Sequence, residues 1–268
     1  MTSAWQPGAI LSDESTPTGG RAWLSKVPQV TALFWIIKVL TTGMGETASD
    51  FLAHTVAPPV AVGLGALGLA AALALQLRMR RYVVGVYWLA VIMVSVFGTM
   101  AADVLHVGLG VPYVVSTIGF AIALAAVLLV WYASERTLSI HSITTPRREC
   151  FYWATVLTTF ALGTAAGDLT AMTFGWGYLL SGMIFAVAIA LPALVFRSGA
   201  LNAVAAFWTA YVITRPLGAS FADWMGVSHE RGGLGLGTGP VTVAWAALIV
   251  VLVASLAMTR ADVEPADR

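Results

Sequence analysis

Four times in this chain an aromatic–Trp pair is followed by Gly ten residues after the Trp and by Asp fifteen residues after it. The copies are Phe34-Trp35…Gly45…Asp50, Tyr87-Trp88…Gly98…Asp103, Tyr152-Trp153…Gly163…Asp168 and Phe207-Trp208…Gly218…Asp223. The spacing is identical in all four, and each copy lies in a stretch apolar enough to span a bilayer. An acid inside a membrane is costly, so it faces a bundle interior or a water-filled space, not lipid. Four acids in register therefore demand a fold that turns them toward a shared centre.

The chain is 59% hydrophobic and 10% charged, with a mean hydropathy of +0.84. A soluble domain of 268 residues has no interior large enough to hide that much apolar surface, so the composition describes a multi-pass membrane protein. Apolar stretches fall at about 29–53, 59–77, 82–106, 112–133, 150–173, 177–196, 202–225 and 240–259. Lipid offers no partner to backbone N–H and C=O groups, so spans of this length are helices. With both termini placed in the cytoplasm, every Lys and Arg outside these stretches lies on the inner side except Arg231. That asymmetry satisfies the positive-inside rule and supports eight spans. Residues 1–27 are polar and read as a flexible cytoplasmic tail without a cleavage site, 28–260 as the transmembrane domain, and 261–268 as a short cytoplasmic C-terminal tail. The formal charge of +1 leaves no basic face for nucleic acid, and the single Cys150 excludes an internal disulfide or a thiolate metal site.

The repeat unit is two helices long, with units at about 28–80, 81–145, 146–200 and 201–260. All four therefore share one orientation, which is parallel repetition and not the inverted kind. The second and third units also share Pro112-Tyr113-Val114-Val115-Ser116 and Gly177-Tyr178-Leu179-Leu180-Ser181, while the fourth carries a Gly-rich loop from Gly226 to Gly239. The pattern resembles a bacterial membrane-protein family built of four tandem two-helix repeats of unknown function with a characteristic Trp. The resemblance implies an all-α fold of eight transmembrane helices in a bacterial inner membrane. It implies no substrate and no catalytic residue.

At about 100° per residue, positions three, seven, eleven and fifteen after each Trp share one helix stripe. The first odd helix places Lys38, Thr42, Glu46 and Asp50 there, with His54 one turn on; the third places Ser95, Thr99 and Asp103, with His106 beyond; the fifth has Thr164 and Asp168; the seventh has Arg215 and Asp223. The even helices hold no ionisable group in their interiors. Odd helices inside and even helices outside is the arrangement this predicts. Trp35, Trp88, Trp153 and Trp208 are expected as interfacial anchors or helix-packing residues, and Gly45, Gly98, Gly163 and Gly218 as close-packing positions. Fifteen residues rise roughly 22 Å, which puts the four Asp residues in one layer far from the Trp level.

Five acids against two cations inside spans are not sustainable without protons, a bound cation or water. Glu46, Asp50 and Asp103 are the expected ion ligands, with His54 and His106 beside them at the outer mouth as metal ligands, Asp168 and Asp223 as structural partners of the same layer, and His229 nearby. Carboxylate and imidazole ligands without thiolates suit Mn²⁺, Fe²⁺, Zn²⁺ or protons. Lys38, Glu46 and Arg215 have uncharged equivalents in the other units, so they point to function more than to scaffold. A buried ion pair across helices is the structural alternative for Lys38 and Arg215. No catalytic constellation or nucleotide-binding loop is present in the sequence, which reads as a non-enzyme. The leading expectation is a transporter of a small cation, with a divalent metal such as manganese among the candidates, coupled through intramembrane carboxylates. Pro192 and Pro216 are expected to kink for gating. The partners expected are lipid and a small cation or proton, with no resident cofactor beyond a bound divalent cation. The competing readings are a membrane sensor whose loop 134–149 contacts a partner, and a small organic-solute transporter that uses Lys38 or Arg215 as an anion contact.

Overall fold

The computed structural model describes residues 25–262, so nearly all of both expected tails lies outside the described residues. Eight helices carry the fold. They are α1 (Ala32–Thr55), α2 (Pro58–Arg78), α3 (Val84–Asp103), α4 (Tyr113–Glu135), α5 (Pro146–Asp168), α6 (Gly177–Arg197), α7 (Ala203–Gly226) and α8 (Thr238–Thr259). Two of them, α3 and α5, run on past their Asp as single π-helical turns, Val104–Gly108 and Leu169–Thr173. The helices coincide with the eight apolar stretches to within a few residues.

Local chemistry sets their ends. The Thr31, Thr145 and Asn202 side chains accept the backbone N–H groups of Phe34, Arg148 and Ala205, which start α1, α5 and α7. Pro58 and Pro146 sit in first turns, where a missing N–H costs nothing. Helix α6 is interrupted at Ile189, three residues before Pro192, whose ring crowds the preceding turn. Pro216 lies inside α7 without interrupting it. Only Pro192 therefore coincides with a break; Pro216 instead packs toward Gly163 and Gly167 of α5.

Helices α2, α3 with its π turn, α4, α6 and α8 are long and apolar enough to cross a membrane. The other three are 24, 23 and 24 residues long, but their polar residues lower their hydropathy. Lys38, Glu46 and Arg215 on these helices are buried, so the polarity faces inward.

The odd helices form the centre. Helix α1 packs on α3, α3 on α5, α5 on α7, and α7 back on α1, which closes a four-helix ring. The even helices lie outside it, each mainly against the next odd helix: α2 on α3, α4 on α5, α6 on α7 and α8 on α1. They bury few residues and leave Leu67, Ile122, Val187 and Val243 largely exposed. Apolar area on that scale needs lipid or a partner to cover it.

The repeated Gly explains how the ring closes. A side chain at Gly45 would overlap Ser95, at Gly98 Phe160, at Gly163 Arg215, and at Gly218 Thr42. In each case the residue seven after one unit's Trp fills the space left by the Gly of the preceding unit, and the fourth unit's Gly receives the first unit's Thr42. The missing Cβ lets adjacent helices approach closely.

The aromatic pairs follow the same rotation. Phe34 meets Trp88 with ring centroids 5.7 Å apart, Tyr87 meets Trp153 at 5.7 Å, Tyr152 meets Trp208 at 6.1 Å, and Phe207 meets Trp35 at 5.6 Å. The Tyr87 and Tyr152 hydroxyls share a 2.6 Å hydrogen bond. Trp88, Trp153 and Trp208 are buried and Trp35 is partly so. Of the two expected roles the Trp residues take helix packing: their rings form a collar between the central helices, held by ring contacts.

Beyond the collar, residues of the expected tail are packed. Lys26 Nζ lies 2.5 Å from Glu149 Oε2, both side chains being 1% exposed, and Gln76 Nε2 donates to Glu149 Oε1 at 3.0 Å. Tyr82 donates its hydroxyl to Asp262 at 2.5 Å, and the Gln29 N–H donates to the Asp262 carbonyl at 3.0 Å. Lys26, Gln29 and Asp262 thus pack with the helical body among the described residues.

Candidate functional site

The central stripes build a stack of layers from the collar toward the acids. Lys38 comes first. Its ammonium is fully buried and has no hydrogen-bond acceptor. It lies 4.0 Å from the centroid of the Phe160 ring and 4.2 Å from that of Tyr211, so two aromatic rings flank the amino group. The expected pairing of Lys38 with a carboxylate is therefore not made. The same Phe160 ring also neighbours Arg215, whose guanidinium carbon is 5.5 Å from its centroid.

Arg215 makes the next layer and touches every central helix. Its Nη1 donates to the Thr42 carbonyl at 3.0 Å, and its Nη2 contacts Glu46 Oε2 at 2.5 Å, Thr164 Oγ1 at 2.7 Å and Thr99 Oγ1. Arg215 is 0% exposed and Glu46 4%. Glu46, Thr99 and Thr164 all lie eleven residues after their Trp, while Arg215 lies seven after its own. The long arginine stem reaches up one turn to the level where the fourth unit has only Ala219. The planar guanidinium, with five donors, suits one central position facing three other helices.

Above this knot a cavity of about 620 Å³ opens. Asp50, Asp103, Asp168 and Asp223 line it, one from each central helix, and Glu46 lies at its base. The single Asp layer expected from the spacing is what the fold assembles. Arg231, from the Gly-rich loop after α7, also lines the cavity and donates to the Tyr178 hydroxyl at 2.8 Å. Among these wall residues Arg231, Tyr113 and Tyr178 were not read from sequence as site residues. The shared Pro-Tyr and Gly-Tyr openings of α4 and α6 were the available signal for the two tyrosines.

The histidines divide. His54 is exposed and its Nδ1 lies 2.7 Å from the Asp50 backbone carbonyl, not its carboxylate. It closes the last turn of α1, and His54→Ala is expected to change stability by less than about 0.5 kcal/mol in a thermal melt. His229 pairs with the Gly233 carbonyl inside its own loop at 2.9 Å and does not line the cavity. His106 is buried, with Nε2 2.5 Å from Ser116 Oγ and Nδ1 3.7 Å from Asp168 Oδ2. One oxygen of Asp103, one of Asp168 and one nitrogen of His106 lie within 4.8 Å of one another. The tightest acid–imidazole group thus joins α3 to α5. The sequence placed it on α1 and α3, with Asp168 as a structural partner; the π turn after Asp103 turns His106 toward the neighbouring helix instead.

A second cavity of about 560 Å³ lies at the collar end between Trp35 and Pro192. It is apolar and holds none of the stripe carboxylates.

Residues 33–82, 86–137, 151–198 and 206–262 each match the family described as Repeat of Unknown Function (DUF347). The chain belongs to that family. The four DUF347 matches correspond to the four units read from the Trp–Gly–Asp spacing, one pair of helices to each. No curated protein and no solved structure matches the chain. The DUF347 assignment identifies a membrane-type helical repeat protein and leaves its activity to the site itself.

Proposed function

We propose that this DUF347 protein is a transporter of a small cation, built as four parallel two-helix units with all eight helices crossing a bacterial cytoplasmic membrane. Both termini would lie in the cytoplasm, because that placement leaves Arg231 as the sole Lys or Arg in the outer loops. The observation that carries the reading is the cavity with one Asp from each unit on its wall and Glu46 at its base. Four carboxylates facing one space attract cations and repel anions. An anion reading has less support, since Lys38 is buried against Phe160 and Tyr211 and does not line the cavity, and the guanidinium of Arg215 is occupied by Glu46 and the threonines around it.

In this reading the collar and the Arg215 knot close the cytoplasmic side while the Asp layer is open to the outside. A cation replaces protons on the carboxylates, which keeps the layer from accumulating unpaired charge. Passage inward requires Glu46 to leave Arg215, and a cation arriving at Glu46 competes for that carboxylate. The broken helix α6 is the element in which one half can turn against the other.

The test is flux in proteoliposomes under an imposed proton gradient. Wild type is expected to move a monovalent or divalent cation, and Asp50→Asn combined with Asp223→Asn is expected to lower that flux at least about tenfold by removing two charges from the layer. Undiminished flux in the folded double variant would sink the proposal, as would a wild-type protein that moves none of the cations tried.

A further inference from the structure

We infer that Asp103, His106 and Asp168 form a seat for one divalent transition-metal ion at the wall of the acid cavity. The seat names a substrate class for the transport reading above and, in that sense, rests on it. The argument begins with Ser116. Its hydroxyl lies 3.1 Å from the Tyr113 carbonyl and 3.4 Å from the Pro112 carbonyl, within its own helix, and 2.5 Å from His106 Nε2. A hydroxyl has one proton to give. With that proton given to the helix carbonyl, the Ser116 oxygen accepts from His106 Nε2–H, and this is the tautomer the seat uses. In a neutral imidazole the other nitrogen, Nδ1, then bears the lone pair.

That lone pair is aimed at carboxylate. Nδ1 is buried without a hydrogen-bond partner, and it lies 3.7 Å from Asp168 Oδ2. The His106 side chain is 2% exposed, and the Tyr113 ring stands edge-on to it at 4.4 Å. A nitrogen lone pair facing a carboxylate oxygen is repulsive unless a positive charge lies between them. Asp103 offers an oxygen to the same point. Two carboxylates and a divalent ion sum to zero charge, which removes the cost of two acids side by side.

The geometry is close to a ligand set. The ligand atoms lie within 4.8 Å of one another. Ligation at about 2.0–2.2 Å draws such atoms together by roughly an ångström, with cavity water free to complete the shell. Imidazole and carboxylate without thiolate select a first-row divalent ion. Both acids sit at the last α-helical residue before a π turn, a local widening found only in the second and third units among the described residues. Ser116 acts as a positioning residue: it fixes which His106 nitrogen is free, as outer-shell partners of metal-bound histidines do.

The test is titration of the full chain, purified in detergent and stripped with chelator, with Mn²⁺ followed by the electron paramagnetic resonance signal of free Mn²⁺, and with Zn²⁺ as competitor. Wild type is expected to bind one equivalent and to unfold at a higher temperature with Mn²⁺ present. His106→Ala, the more conservative His106→Gln and Asp168→Asn are expected to weaken binding at least about tenfold, and Ser116→Ala by about tenfold. Each variant's melt without metal verifies folding. No Mn²⁺ or Zn²⁺ binding by wild type, or unchanged binding in both folded His106 variants, overturns the seat. Cation flux that survives His106→Gln leaves the transport reading standing without the seat, and stoichiometric binding without flux leaves the seat standing without transport.

Discussion

Arg215→Met is expected to destabilise the helix bundle by about 3–5 kcal/mol, and Glu46→Gln by a similar amount, because each leaves a buried charge or donor group without its partner. The guanidinium is 0% exposed and carries contacts to Thr42, Glu46, Thr99 and Thr164. Its loss strands the Glu46 carboxylate under the cavity with one hydroxyl, that of Thr99, still at 3.3 Å. The combined variant Arg215→Met with Glu46→Gln removes both charges and is expected to recover most of the lost stability, as when a buried pair is replaced by packed neutral groups. Thermal unfolding in detergent, followed by tryptophan fluorescence, measures all three. A double variant as unstable as the two losses added together would show that the residues do not act as a pair.

Substitution of glycines is expected to divide between the repeated positions of the ring and the outer helices, with opposite signs. Gly163→Ala places a methyl group into the Cβ and Cγ of Arg215, and neither the α5 backbone nor the stem of a four-contact arginine has room to move. Overpacking of this kind costs about 1–3 kcal/mol, and here it also displaces the knot. Gly63 on α2 and Gly119 on α4 have no atom within 4 Å of a built Cβ. There the change to Ala is expected to be neutral or to stabilise by up to about 1 kcal/mol through helix propensity. The same melts read the outcome. Equal effects at Gly163 and Gly63 would mean that the ring is not closed by these contacts.

Most of the architecture was legible because a helix stripe is a short-range property. The Trp, Gly and Asp of each unit, and the residues between them, share a face by periodicity alone, so the Asp layer and the central position of the odd helices followed from counting. What periodicity cannot give is which neighbour a side chain meets across the ring. Lys38 was expected beside a carboxylate and is instead held between Phe160 and Tyr211, residues from two other units. Arg215 does make the cross-helix pair that sequence allowed, but the choice of Glu46 depends on the length of the arginine stem. The His106 contact with Asp168 was missed because the π turn after Asp103 departs from the regular period by which the stripe was drawn. The Lys26–Glu149 pair lay outside the spans, where a charged loop residue gives no sign of burial.

The joins between units have one further consequence. Phe207 meets Trp35, Gly218 receives Thr42 and α8 lies on α1, and these contacts obey the same rule as every join within the chain. The last join differs in having no peptide across it, yet Gln29 and Asp262 meet there through a backbone hydrogen bond. The fold is a cycle cut at one link. Its numbering describes the order of synthesis; its geometry contains no first repeat and no last.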